Sequence, residues 1–231
     1  MSGIYGDASQ TSVSRTSEAG QRQVRLLRDG AIIGVDWIQS LVMEGRVHGV
    51  NVGTGTTPVA TNPTYAVSEP DLYLAIPAGT VVIPLYIGIA AEDTGTILTM
   101  DTFAAYHSNG GTAATGTSLT IYNMKTLSDL SSNCVATNTV TSTGTSHLGG
   151  TDFLEFWRPY AGLVPDHFNA AAAVNMQGKN GPNSAEWCAK THIAPLVGSP
   201  GTACAISIFA GAQAGVVFMN FMWAELPASA F

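Results

Sequence analysis

The side chains able to do chemistry are few and scattered. Five histidines stand at positions 48, 107, 147, 167 and 192, none within two residues of another. A cupin-type metal centre on a β-barrel needs a close histidine pair with a carboxylate, and the pair is missing. Cys188 and His192 lie four apart with Glu186 nearby. On a strand, even offsets share a face, so those three side chains could reach one ion. The plainer reading is adopted: Cys188 is a small buried hydrophobe and His192 a satisfied polar residue. Asp152 with Glu155, and Glu92 with Asp93, could hold calcium through turn carboxylates, but neither pair has the spaced ligand loop of an EF-hand. They read as solvated turn acids.

Nucleotide chemistry fares no better. Gly53-Thr54-Gly55-Thr56-Thr57-Pro58 starts like a dinucleotide fingerprint, yet the third glycine is missing. Pro58 and Pro63 also prevent the helix whose N-terminus would hold a pyrophosphate. Gly178-Lys179-Asn180 lacks the upstream glycine and the following hydroxyl of a P-loop. There is no G-x-S-x-G elbow, and Ser146 beside His147 is a lone pair in a turn. Trp37, Trp157, Trp187 and Trp223 could stack on sugars, but they are far apart among apolar neighbours, so core packing is expected. No catalytic, cofactor or metal residue is expected, and the chain does not read as an enzyme.

The elements that would position any site are strands. Residues 72–91, LYLAIPAGTVVIPLYIGIAA, divide at Pro77-Ala78-Gly79 into two strands joined by a tight turn. Leu72, Leu74 and Ile76 alternate with Tyr73 and Ala75, while the second arm is apolar at nearly every position, as in a strand buried on both faces. Pro84 cannot donate to a ladder, so a bulge or an edge is required there. Between Ile32 and Met43, Ile33, Trp37, Ile38, Leu41 and Val42 recur at helical spacing, predicting one short amphipathic helix that ends near Gly45. Further strands are predicted over 46–52, 97–107, 117–125, 134–143 (with alternating Thr facing water), 153–159, 187–195, 204–210 and 216–226. The last is expected to pair with its predecessor as a hairpin through 211–215. Nine or ten strands with few helices point to a single β-sandwich or barrel over 31–231.

Composition says what such a sandwich does. Charged residues make up only 11% of the 231 residues, against about 25% for soluble domains. Ser, Thr, Gly, Ala and Asn fill the gap. A lone monomer keeps charge on its surface, whereas interface cores are depleted in it, so much of this surface is expected to face other protein. A hydroxyl-rich secreted monomer is the alternative. A net charge of −7 argues against a nucleic-acid-binding domain as a whole. No apolar run nears the ~18 residues of a spanning helix, and the first residues lack the basic and apolar regions of a secretory signal. Three cysteines, an odd count without metal spacing, predict free thiols from a reducing compartment. Residues 1–30 form a polar arm that holds Arg15, Arg22, Arg25 and Arg28, four of the nine basic residues. The arm has little to bury, so any order it has is expected to come from partner subunits.

The stretch from Asp71 to Ala91 and the closing ISIFAGAQAGVVFMNFMWAEL (206–226), behind a polar arm and among Thr/Ser/Gly-rich loops, resemble jelly-roll capsid and virion structural proteins of icosahedral viruses and bacteriophages. The resemblance is in style and covers roughly residues 45–226. It implies an all-β, jelly-roll-like β-sandwich with an extended N-terminal arm and one short helix. It also implies a capsid, penton or decoration subunit, made in the host cytoplasm and resident in the virion. Partners would be copies of itself and other virion proteins, with genome or an inner layer within reach of the four arm arginines, and without membrane insertion. No cofactor is implied. The alternative function is a carbohydrate- or receptor-binding β-sandwich, a spike or lectin-like module.

Overall fold

In the computed structural model the elements run in chain order as α1 (Trp37–Met43), β1 (Val47–Val52), β2 (Val59–Ala60), β3 (Leu72–Ile76), β4 (Thr80–Glu92), β5 (Phe103–His107), β6 (Thr115–Ser118), β7 (Tyr122–Asn123), β8 (Val135–Ser142), β9 (Phe153–Trp157), β10 (Ser184–Cys188), β11 (Val197–Gly198), β12 (Cys204–Phe209) and β13 (Val216–Pro227), closed by a short 3-10 turn. The structure describes residues 36–62, 68–92, 102–108, 110, 114–142, 153–159, 184–211 and 215–230. The arm arginines Arg15, Arg22, Arg25 and Arg28 lie outside them, as do Ile33, residues 97–101 of the strand expected over 97–107, and Gly178, Lys179 and Asn180.

Two antiparallel sheets result. One has seven strands in the order β10-β4-β13-β1-β7, with β11 also on β4 and β2 on β13. The other has six in the order β6-β8-β3-β12-β5-β9. Alternation decides which side chains meet between them. Val50, Ile87, Ile89, Met219, Phe221 and Trp223 face inward from the first sheet. Leu72, Leu74, Ile76, Ile206 and Ile208 face them from the second, in one continuous cluster. Each such side chain contributes roughly 1.5–3 kcal/mol when fully buried. The fold is an all-β sandwich.

Several expectations change where strands find partners. Strands β3 and β4 do flank a tight turn, in which the Thr80 N–H donates to the Pro77 carbonyl at 3.2 Å and Gly79 takes φ +82°. They belong to opposite sheets, so the turn steps across the sandwich. The hairpin expected over 204–226 is absent for the same reason. β12 is buried at every position and pairs on both sides, with β3 and β5, while β13 pairs with β4 and β1. Two buried strands each need two ladder partners, and these were already supplied from elsewhere in the chain. The strand expected over 117–125 splits into β6 and β7, again in different sheets, with Leu119 and Ile121 packed on the core at the crossing.

Other details follow the chemistry. Opposite Pro84 the β4–β13 register shifts between Met222 and Trp223, leaving Leu85 as the extra residue of a bulge. The Leu85 carbonyl instead accepts from Ala189 N–H at 2.9 Å. The helix begins at Trp37, where Asp36 caps it by accepting from Ile38 N–H at 3.2 Å. Ile38, Leu41 and Val42 pack on Val47, Leu85 and Ala224, the outer face of the seven-stranded sheet. On β8, Thr139 and Thr141 face water as expected, but Thr137 is buried beside Tyr73.

Candidate functional site

Where β1 and β13 run antiparallel, His48 stands opposite Trp223, their ring centroids 6.4 Å apart. Two residues on, Glu225 shares the face of Trp223 and is 6% exposed. Its carboxylate accepts from Trp223 Nε1 at 2.8 Å, from Asn133 N–H at 2.9 Å and from the Ser132 hydroxyl. Its backbone N–H donates to the Arg46 carbonyl at 2.9 Å. Ser132 Oγ in turn accepts from Cys134 N–H at 3.0 Å. A histidine, a carboxylate, a serine and a cysteine therefore gather at one end of the sheet.

Their electrostatics decide what the group can do. An activated cysteine needs its thiolate stabilised. Burial and the nearby Glu225 instead push the Cys134 thiol far up, so it stays protonated. Burial also holds the His48 imidazole below its ordinary value, an effect that Glu225 partly opposes. Both Glu225 oxygens accept from fixed donors, Oε1 from Trp223 and Ser132 and Oε2 from Asn133. The group is a polar clasp that ties the 131–134 segment to the sheet, and it lacks a poised nucleophile. Cavities of about 290 and 250 Å³ flank this segment, both lined by His48, Leu130 and Ser131. Glu225 has no spacing partner in the sequence; the available signal is a lone acid two residues after a tryptophan in a mostly apolar strand.

The residues singled out by spacing are not brought together for chemistry. Strand β10 stops at Cys188, short of the expected Pro195, because the chain turns there: His192 N–H and the Thr191 hydroxyl both donate to the Cys188 carbonyl at 3.1 Å. Cys188 and His192 therefore share no strand face. The His192 ring stacks near Trp187 at 6.1 Å, with its Nδ1 2.8 Å from Thr191 Oγ1. Among the described residues no three His, Cys, Asp or Glu side chains gather as metal ligands. Glu155 is engaged by Arg158, whose Nε and Nη2 donate at 2.8 and 2.7 Å, while Asp152, Asp93, His147 and His167 lie outside the described residues. The 53–58 loop closes on itself, with Thr54 N–H donating to the Thr57 carbonyl and Thr57 N–H to Thr54 Oγ1. Those amides are spent locally and face no phosphate. Trp157, Trp187 and Trp223 are core residues as expected, but Trp37 is 48% exposed on α1. The short helix packs on the sheet through Ile38, Leu41 and Val42, and Trp37 in its first turn lies beyond that contact.

The surface is the more distinctive feature. Beside β7, Tyr122, Met124, Leu127 and Leu130 are exposed, Leu127 at 91%. At the opposite edge, in the segment between β10 and β11, Ile193 is 94% and Leu196 56% exposed. The path β10-β4-β13-β1-β7 puts four inter-strand steps between these edges, about 19 Å at the usual strand spacing. The two edges differ in sequence, and the second carries no charge over 193–198. No family model, curated protein or solved structure matches the chain.

Proposed function

We propose that this chain is a virion structural protein, a capsid, penton or decoration subunit that builds a shell through contacts with copies of itself and with other virion proteins, without catalysis. The observation that carries the reading is the pair of unlike apolar edges on one sheet. Exposed apolar side chains that cluster along an edge suit contact with other protein. Two different surfaces on one subunit suit head-to-tail contacts, which close into rings around a symmetry axis when the rotation between neighbours closes. The low charge supports the same reading, because side chains in interface cores are seldom ionised. A jelly-roll winding is supported by the repeated crossing of the chain from one sheet to the other, at β3→β4, β7→β8 and β12→β13 among others. Localisation to the virion follows from the role.

The test is a pair of edge substitutions, Leu127→Asp and Ile193→Asp, read by sedimentation and by melting. Both side chains are almost fully exposed, so the isolated subunit should melt as the parent does. Assembly should be lost in each single variant, because every head-to-tail contact uses one copy of each edge. Normal assembly by both variants would remove the edges from the account.

A further inference from the structure

One ladder in the seven-stranded sheet stops short. β7 pairs with β1 only at His48–Asn123 and Gly49–Tyr122, while Leu119 and Ile121 on its other side lead to β6 in the opposite sheet. The space left beside Asn51 and Val52 is a cavity of about 750 Å³, walled by residues 53–55, by 118–120 and by Phe218 and Asn220 of β13. That volume falls in the range of small-molecule sites. Gly53 allows the close wall: it takes φ +90°, and a Cβ there would sit 2.9 Å from Phe218 Cδ1.

The lining is neutral throughout, although the chain carries a net charge of −7. Asn51 and Asn220 are cross-strand partners, and both are exposed. Each amide offers donors and an acceptor side by side. The hydroxyls of Thr54 and Thr120 join them, and Thr54 Oγ1, which accepts from Thr57 N–H, keeps its own hydrogen to donate. Tyr122, 58% exposed, and Phe218 supply aromatic surface. An anion would call for Arg or Lys, a divalent cation for carboxylates, and a wholly apolar ligand would strip water from two amides without replacing it. A pyranose ring meets the remaining description, with hydroxyls in vicinal pairs around its rim and an apolar C–H face that can lie on a tyrosine.

We propose that this cavity binds a neutral saccharide unit of a larger glycan, with Asn51 and Asn220 addressing its hydroxyls and Tyr122 its apolar face. The site adjoins the edge at β7 and shares Tyr122 with it, while Leu127 and Ile193, the residues that test the edges, do not line it.

The probe is a printed panel of neutral, sialylated and sulfated oligosaccharides presented to the full-length protein, followed by saturation-transfer NMR with the neutral sugars at millimolar concentration. Binding should be confined to neutral members. Asn51→Ala and Tyr122→Ala should each weaken it by about tenfold or more, a loss of roughly 1.4 kcal/mol, at an unchanged melting temperature. Both positions are exposed, so either variant suffices if the other misfolds. Absence of binding on the panel and by NMR, binding only to sialylated or sulfated members, or affinity untouched in a folded variant would each overturn the proposal.

Discussion

Asp71 offers a sharp test of how the two sheets are joined. It is 5% exposed and stands at the entry to β3. One carboxylate oxygen accepts from Asn62 N–H at 2.7 Å, just after β2 in the seven-stranded sheet. The other accepts from Ala210 N–H at 2.7 Å, just after β12 in the six-stranded sheet. These bonds favour the ionised form, but burial outweighs them and raises the carboxyl from 3.8 to about 6. The folded chain therefore binds a proton that the unfolded chain releases between those values. Stability contributed by this proton is complete below pH 3.8 and is lost as pH rises through about 6. At 1.36 kcal/mol for each pH unit, the loss amounts to about 3 kcal/mol. Asp71→Asn cannot titrate and can accept only one of the two N–H groups through its oxygen. Urea midpoints of both proteins should be compared at several values between pH 4 and 7. Other carboxylates titrate in both, so the difference between the two curves isolates Asp71, and it should fall by about 3 kcal/mol across the window. Parallel curves, or a parent that gains stability over the variant as pH rises, would refute the reasoning.

Four further outcomes are expected. His48 has a folded value below 6.5, so the folded state binds fewer protons than the unfolded one, and stability supplied by neutral His48 is lost as pH falls through that region; His48→Gln should remove that acid-side loss in the same urea series. Replacing Ile87, fully buried in β4, or Leu85 at the bulge by Asp should abolish folding, since an isolated buried carboxylate costs several kcal/mol against a total stability of about 5–15 kcal/mol; a soluble, cooperatively melting product would show the core to be misplaced. All three cysteines are free, so thiol titration of denatured, unreduced protein should count three, while in the native protein the part-exposed Cys188 should react before the buried Cys134 and Cys204. Deleting residues 2–28 should leave subunit melting nearly unchanged and weaken assembly, and a steep salt dependence of assembly that disappears with Arg15, Arg22, Arg25 and Arg28 would assign their partner as nucleic acid.

Strands announce themselves in this sequence because side-chain alternation is local. Leu72, Leu74 and Ile76 on one face of β3 are legible without any partner, and Pro84 forecasts its own bulge. Pairing is not local. Nothing in the spacing of 206–226 says that β12 and β13 are claimed by β3, β5, β4 and β1, so adjacency suggested a hairpin where the chain crosses the sandwich. The strand expected over 187–195 overruns β10 because Thr191 and His192 suit an extended chain as well as the turn, in which the Cys188 carbonyl accepts from Thr191 N–H, His192 N–H and the Thr191 hydroxyl. The polar clasp was invisible for a related reason. His48, Ser132 and Glu225 are distant in sequence, and only the β1–β13 register brings them together. The cavity beside Asn51 likewise exists because β7 is two residues long, a fact about where pairing stops. The exposed apolar residues of the two edges were not legible as edges, because their position at opposite ends of one sheet depends on topology.

The most direct test of the shell-forming account is the mass and shape of the purified full-length protein, measured by light scattering and by negative-stain microscopy of the same sample. Head-to-tail contact between the Leu127 and Ile193 edges predicts closed rings or shells whose mass is a multiple of the 24.0 kDa chain. A monodisperse 24.0 kDa species that persists at millimolar concentration, with no particles in the micrographs, would contradict it.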